Sequence, residues 1–195
     1  MGSDQDFIDS YLVGAKSALQ GLLERPELQV EILQLAANLA KVLREEKIIL
    51  WCGNGGSAAE AQHLAAELVG RFELDGRPLR SLALTTDSSV VTAIGNDYGY
   101  DQVFSRQVRG IARPGDVLIA MSTSGESASI IRALQEANQM GVMTVLLTGA
   151  NENSACAAAD ISLRLPATRT CHIQELHLVI GQMLCGLVER ELRKE

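Results

Sequence analysis

Two Ser/Gly-rich turns, each placed directly after an apolar run, constrain this chain more than any other feature. The first run, Ile48–Cys52, passes through Gly53-Asn54-Gly55-Gly56-Ser57 into an Ala-rich segment. The second, Val117–Met121, passes through Ser122-Thr123-Ser124-Gly125-Glu126-Ser127 into another helical pattern. Apolar runs of this length suit parallel strands covered on both faces. The glycines permit a tight turn and close backbone approach, and the serines suit caps for the helices that follow. Exposed N–H groups and the helix dipole then favour an anion at each turn. One such turn is most often an ordinary strand-to-helix connection. Two of them, rich in hydroxyls, point to one phosphorylated ligand held between them.

Neither turn is a Walker A loop, because no Gly-Lys-Ser/Thr follows, and neither is Gly-x-Gly-x-x-Gly. Nucleoside triphosphates and dinucleotides are thereby disfavoured. The chain has 195 residues, 47% of them apolar, which suits a single globular domain over residues 1–195. Its formal net charge is −7, with 24 acidic against 17 basic residues, so a basic patch for nucleic acid is not expected. Cys52, Cys156, Cys171 and Cys185 follow no Cys-x-x-Cys pattern and are expected as reduced thiols in a cytoplasmic protein. No signal peptide and no membrane-spanning stretch are expected.

Helical periodicity predicts two helices over about residues 7–46, separated at Pro26, with Leu28, Ile32, Leu35, Ala36, Leu39 and Leu43 on one face. Strands and helices alternate thereafter. Strands are expected at Ile48–Cys52, Ser81–Leu84, Val117–Met121, Met143–Thr148 and Ile161–Leu165. Helices are expected at Ser57–Val69, Ser88–Ile94, Val103–Ile111, Ala128–Met140 and His172–Arg193. This is the pattern of an α/β fold: a doubly wound, five-stranded parallel sheet flanked by helices. Ligands of such sheets bind outside the carboxyl ends of the strands, where both turns fall. The two N-terminal helices exceed what the sheet needs for cover and suit assembly.

His63 and Glu67, four residues apart, share one helical face behind the first turn. Imidazole and carboxylate at that spacing can share a divalent metal or act as an acid/base pair. The plainer alternative is a solvated i,i+4 pair. It loses ground because His63 is one of three histidines and lies on the helix launched by the first turn. The last helix opens with a polar cluster, His172-Ile173-Gln174-Glu175-Leu176-His177. Taken alone, His177 reads as a surface or satisfied core histidine and Gln174 as a surface residue.

Cys52-Gly53-Asn54-Gly55-Gly56-Ser57, His63-x-x-x-Glu67, Gly95-Asn96-Asp97-Tyr98-Gly99, Ser122-Thr123-Ser124-Gly125-x-Ser127 and Ile173-Gln174-Glu175-x-His177 occur in one order along the chain. Together they resemble the phosphoheptose isomerases of the sugar-isomerase domain superfamily. The resemblance implies a homotetramer with active sites at subunit interfaces. It also implies interconversion of sedoheptulose 7-phosphate and D-glycero-D-manno-heptopyranose 7-phosphate, the entry to heptose for lipopolysaccharide core or other glycans. On this resemblance Asn54, Gly55, Gly56 and Ser57 belong to the substrate-binding turn. Ser122, Thr123, Ser124 and Ser127 match the phosphate cradle, and Asn96 and Asp97 match sugar-contacting positions. His63, Glu67 and Gln174 match metal ligands, usually for zinc. Gln174 also matches a substrate contact, and Glu67 matches the catalytic carboxylate.

One departure stands out. The family carries a histidine eight residues after the glutamine of Ile-Gln-Glu, serving as metal ligand and catalytic acid/base. Gln182 occupies that position here. An amide oxygen can meet a metal but cannot shuttle protons near neutral pH. His177 is no substitute, since five residues rotate a helix by about 500°, roughly 140° from the original face. Either the chemistry is impaired by a natural or engineered change at position 182, or Glu67 works with another partner. The competing reading is a non-catalytic sugar-isomerase-domain protein that binds a replication initiator or senses sugar phosphates. Glu67 favours the enzyme; Gln182 favours the binder.

Overall fold

The computed structural model describes residues 2–194. Helices α1 (Asp4–Leu23) and α2 (Pro26–Arg44) precede β1 (Ile49–Gly53), α3 (Gly56–Val69), β2 (Ser81–Ala83), α4 (Ser88–Tyr98) and α5 (Ser105–Ile111). Then come β3 (Val117–Ser122), α6 (Ala128–Gln139), β4 (Met143–Thr148), β5 (Ile161–Arg164) and α7 (Thr170–Leu192). The five strands form one parallel sheet in the order β2-β1-β3-β4-β5. The chain winds one way from β1 to β2 and the other way from β3 onward. The crevice between β1 and β3 is thus the topological switch point, where α/β sheets bind ligands. Both Ser/Gly turns leave the sheet there.

Every residue of β1 and β3 is buried, which is why both read as unbroken apolar runs. Ile49, Trp51, Val117, Ile119 and Met121 face the core beneath α2, α3 and α7. Leu50, Cys52, Leu118 and Ala120 face the second core beneath α5 and α6. α2 buries the six apolar residues that its periodicity singled out, and Pro26 is its first residue, where a missing N–H is harmless. α1 starts before residue 7 because Ser3 and Asp6 form a reciprocal capping box. α4 runs on to Tyr98 and buries none of its side chains.

α7 is long and apolar enough to cross a bilayer by length and composition, which corrects the expectation that no stretch would be. Here Ile173, Leu176, Ile180, Leu184 and Val188 are buried in the first core, so this face belongs to the fold. All four cysteines are free. Burial pushes the Cys52 and Cys185 thiols up to about 12, so both are inert.

Candidate active site

The first turn is built on glycine geometry. Gly55 has φ +57°, a conformation that side chains disfavour. A Cβ on Gly53 would lie 2.5 Å from the Ser57 carbonyl oxygen, so only glycine lets α3 begin that close to β1. Ser57 itself is buried beneath the turn. The expected serine cap does not form, because Gly55 is the N-cap of α3 and brings no side-chain bond. The Asn54 amide donates to Ser129 Oγ at 2.9 Å and tethers this turn to the start of α6. Its oxygen accepts from Tyr100 OH at 3.0 Å.

The second turn presents its hydroxyls. Ser122 Oγ accepts the Gly125 N–H at 3.0 Å, and Ser124 Oγ accepts the Glu126 N–H at 3.2 Å. Each hydroxyl keeps its own proton to donate. Ser127 is the N-cap of α6 but makes no capping bond, so its hydroxyl is also uncommitted there. Gly125 has φ +68°, and a Cβ there would overlap the Asn153 side chain at 1.9 Å. Asn153 in turn donates to Thr148 Oγ1 and accepts from the Cys156 N–H. Thr123 and Ser124 open into a cavity of about 280 Å³ walled also by Asn151, Asn153, Thr168 and Thr170. Its polar groups are all neutral and its remaining wall is apolar, with Ala167 and Ile173, a lining suited to a phosphate oxygen or a sugar hydroxyl.

The third component is the seam between α3 and α7. A Cβ on Gly56 would lie 2.2 Å from Gln174 Nε2, and one on Gly181 would lie 2.3 Å from Leu64 Cδ1. Glycine on alternate sides lets the two helices close. Further along, His63 Nε2 lies 3.3 Å from Glu67 Oε1 and 3.2 Å from the Gln182 amide. One ring nitrogen cannot donate and accept at once. When His63 Nε2–H faces the Glu67 carboxylate, the Gln182 amide must offer it oxygen, leaving the Gln182 NH₂ free for a ligand. Between the two contact points sits His177, fully buried, its Nδ1 3.2 Å from Glu60 Oε2 and its Nε2 unpartnered. His177 is therefore a core residue, satisfied at one nitrogen.

Among the described residues, no three His, Cys, Asp or Glu side chains form a group that could hold a metal. His63 supplies one nitrogen and Glu67 one carboxylate; Gln174 and Gln182 add only amide oxygens. Zinc sites draw on imidazole and thiolate, and neutral amides are poor replacements. The donor set does not fit a tightly held zinc.

The chain matches the SIS domain family over residues 10–149. It is 49% identical over 162 residues to a phosphoheptose isomerase of Akkermansia muciniphila, covering 83% of this chain and 86% of the relative. The phosphoheptose isomerase structure from Francisella tularensis superimposes with a TM-score of 0.90 at 34% identity, covering 97% of this chain and all of that one. That from Neisseria gonorrhoeae gives 0.84 at 38% identity, covering 96% of this chain and 100% of its own. The chain belongs to the phosphoheptose isomerase family. Its sheet, flanking helices and N-terminal helix pair are those of the family fold, and the chain is an isomerase.

Not every family position converges within one chain. Asn96 donates to Asp97 Oδ1 at 2.7 Å, both residues are exposed, and Asp97 lines a separate depression with Leu82, Thr86 and Arg106. Among the described residues no hydrogen bond carries either one to the two turns. Sequence reasoning passed over Tyr100, Asn151, Asn153, Thr168 and Thr170. The last four follow β4 and β5, and the rule that ligands gather at carboxyl ends of strands would have marked them.

Proposed function

We propose that this isomerase interconverts sedoheptulose 7-phosphate and D-glycero-D-manno-heptopyranose 7-phosphate. The observation that carries this reading is the pair of turns tied together at the β1/β3 switch point by the Asn54–Ser129 bond, with His63 and Glu67 on the helix that the first turn launches. Ser122, Ser124 and Ser127 hydroxyls and the N–H groups opening α6 bind the phosphate end. The turn Asn54–Gly56 and the Gln174 amide bind the sugar. Glu67 takes a proton from C1, beside the ketose carbonyl, and returns it to C2, while the hydroxyl proton passes from O1 to O2, so that the carbonyl moves from C2 to C1. Between these steps the charge lies on an enediolate oxygen, met by amide N–H groups of Gln174 and Gln182. Zinc held by His63, Glu67, Gln174 and Gln182 would supply a Lewis acid but be bound weakly, and this derivation needs none. Asn96 and Asp97 are assigned to sugar hydroxyls; the Tyr100–Asn54 bond ties their segment to the first turn.

The non-catalytic alternative is not favoured, because Glu67 is in place and relatives about half identical to this chain are phosphoheptose isomerases. Assembly as a homotetramer, with active sites at subunit interfaces, is part of the same proposal. Ile8, Leu12, Leu19 and Leu23 form an exposed apolar stripe on α1, joined by Val30 and Leu33 of α2. Free thiols suit a reducing cytoplasm, where the product would enter heptose synthesis for lipopolysaccharide or other glycans. Conversion of sedoheptulose 7-phosphate, followed by NMR of the aldose product, tests the reaction. Full conversion by Glu67→Gln would sink the assignment. A monomer by light scattering at micromolar concentration would reject the tetramer.

A further inference from the structure

The first turn of α7 contributes Thr170 and Ile173 to the cavity wall, and Gln174 follows it directly. First turns of helices lack half of their internal hydrogen bonds and need outside support. Arg169, the N-cap, supplies no side-chain bond. Support comes instead from α1. Tyr11 OH donates to Glu175 Oε1 at 2.6 Å, and His172 Nδ1 lies 2.8 Å from Glu175 Oε2. The Tyr11 and His172 rings meet edge to face at 4.9 Å between centroids. His172 is buried and seats on the α1 backbone at Gly14, where a Cβ would lie 2.4 Å from its Nε2. The Arg169 guanidinium lies 5.1 Å from the Tyr11 ring centre, a cation–π contact that holds the residue between Thr168 and Thr170.

We propose that Tyr11, His172 and Glu175 form a clamp through which α1 holds the opening of α7, so that Tyr11 is a positioning residue for Gln174. The effect on substrate rests on the isomerase reading above; the clamp itself does not. The hydrogen bond to Glu175 pushes the Tyr11 phenol up to about 12, so its proton stays available at working pH. Burial pushes the Glu175 carboxyl up, but hydrogen bonds from Tyr11 and His172 more than reverse it, and the acceptor stays ionised. N-terminal helices that look like packing for assembly would thereby also set the geometry of the sugar site.

Tyr11→Phe removes only the hydroxyl and keeps the ring contact. Amide hydrogen exchange over residues 170–175 should rise about tenfold, the size of one charge-assisted bond. kcat/KM for sedoheptulose 7-phosphate should fall several-fold, with both KM and kcat affected, because Gln174 holds the sugar and also meets the enediolate oxygen. Glu175→Ala should reproduce Tyr11→Phe. Glu175→Gln, which keeps an acceptor oxygen, should restore most of the protection. The double variant Tyr11→Phe with Gln174→Ala should bind no worse than Gln174→Ala alone, and Ser17→Ala, exposed on α1 away from the clamp and the apolar stripe, should change nothing. Unchanged exchange in Tyr11→Phe, or additive losses in the double variant, would overturn the clamp. Wild-type protein that fails to turn over the sugar would defeat the isomerase reading instead, and the exchange measurement would still decide the clamp.

Discussion

Gly181→Ala should separate catalysis from stability. A Cβ at this position would lie 2.3 Å from Leu64 Cδ1, 2.6 Å from Cδ2 and 3.0 Å from Cγ. Ordinary carbon contacts are about 3.5–4.0 Å, so α3 and α7 must separate by roughly 1 Å or Leu64 must move. Leu64 is fully buried, and a close-packed core leaves it little room. Overpacking of this kind costs about 1–3 kcal/mol, against about 1 kcal/mol regained from replacing glycine inside a helix. The net loss is roughly 0–2 kcal/mol, a fall in Tm of at most about 8 °C for a chain of this size. The separation falls between His63 and Gln182, one residue from the substitution. A misplacement of about 1 Å at reacting groups costs on the order of 10²-fold in rate. Calorimetric Tm and kcat/KM on the same preparation provide the test. A variant with a normal rate and a modest Tm shift would show that close approach of these helices does not set the site.

Ser122→Ala with Ser124→Ala should weaken sugar-phosphate binding by roughly 1.5–3 kcal/mol per lost charge-assisted bond; unchanged calorimetric affinity would place the phosphate elsewhere. Gln182→His should raise the zinc content of the purified protein and increase turnover by about 10²–10⁴-fold, while Glu67→Gln should abolish activity in either background. Equal turnover by wild type and Gln182→His would show that a histidine at 182 is dispensable here. Glu189 accepts the N–H groups of Phe72, Glu73 and Leu74 at 2.7, 3.0 and 2.9 Å. Burial raises its pKa, but these three bonds and Arg193 more than reverse that, leaving it below the ordinary 4.5. The folded value lies below the unfolded one, so this stability is present above about pH 4.5 and is lost as pH falls through the folded value. Glu189→Gln should be about 1–3 kcal/mol less stable at pH 7 and lose less on acidification; parallel denaturation curves at pH 7 and 3 would contradict this.

Local chemistry made much of the fold legible. β1 and β3 showed as apolar runs because both faces are buried, and α2 showed as a stripe because one face is. Boundaries slipped where a contact outside the window intervened. The helix expected over Ser88–Ile94 continues to Tyr98, whose ring carries Arg106 at 3.6 Å. The hydroxyl turn was legible because its serines are contiguous, and the His63–Glu67 pair because it lies within one helix.

The sequence by itself therefore determined the alternation of strands and helices, the two ligand turns and the identity of the chemical groups on them. Tertiary structure alone decided the strand order that puts those turns at one crevice. It also decided the α3–α7 seam that brings Gln182 to His63 across 119 positions, and the cavity wall contributed by Asn153 and Thr170. Hydrophobic periodicity records which face a residue buries, and turn residues record local φ. Neither records which distant element arrives on that face. Gly56, Gly125 and Gly181 matter because another chain segment approaches within a methyl group's reach, a distance that only the packed molecule contains.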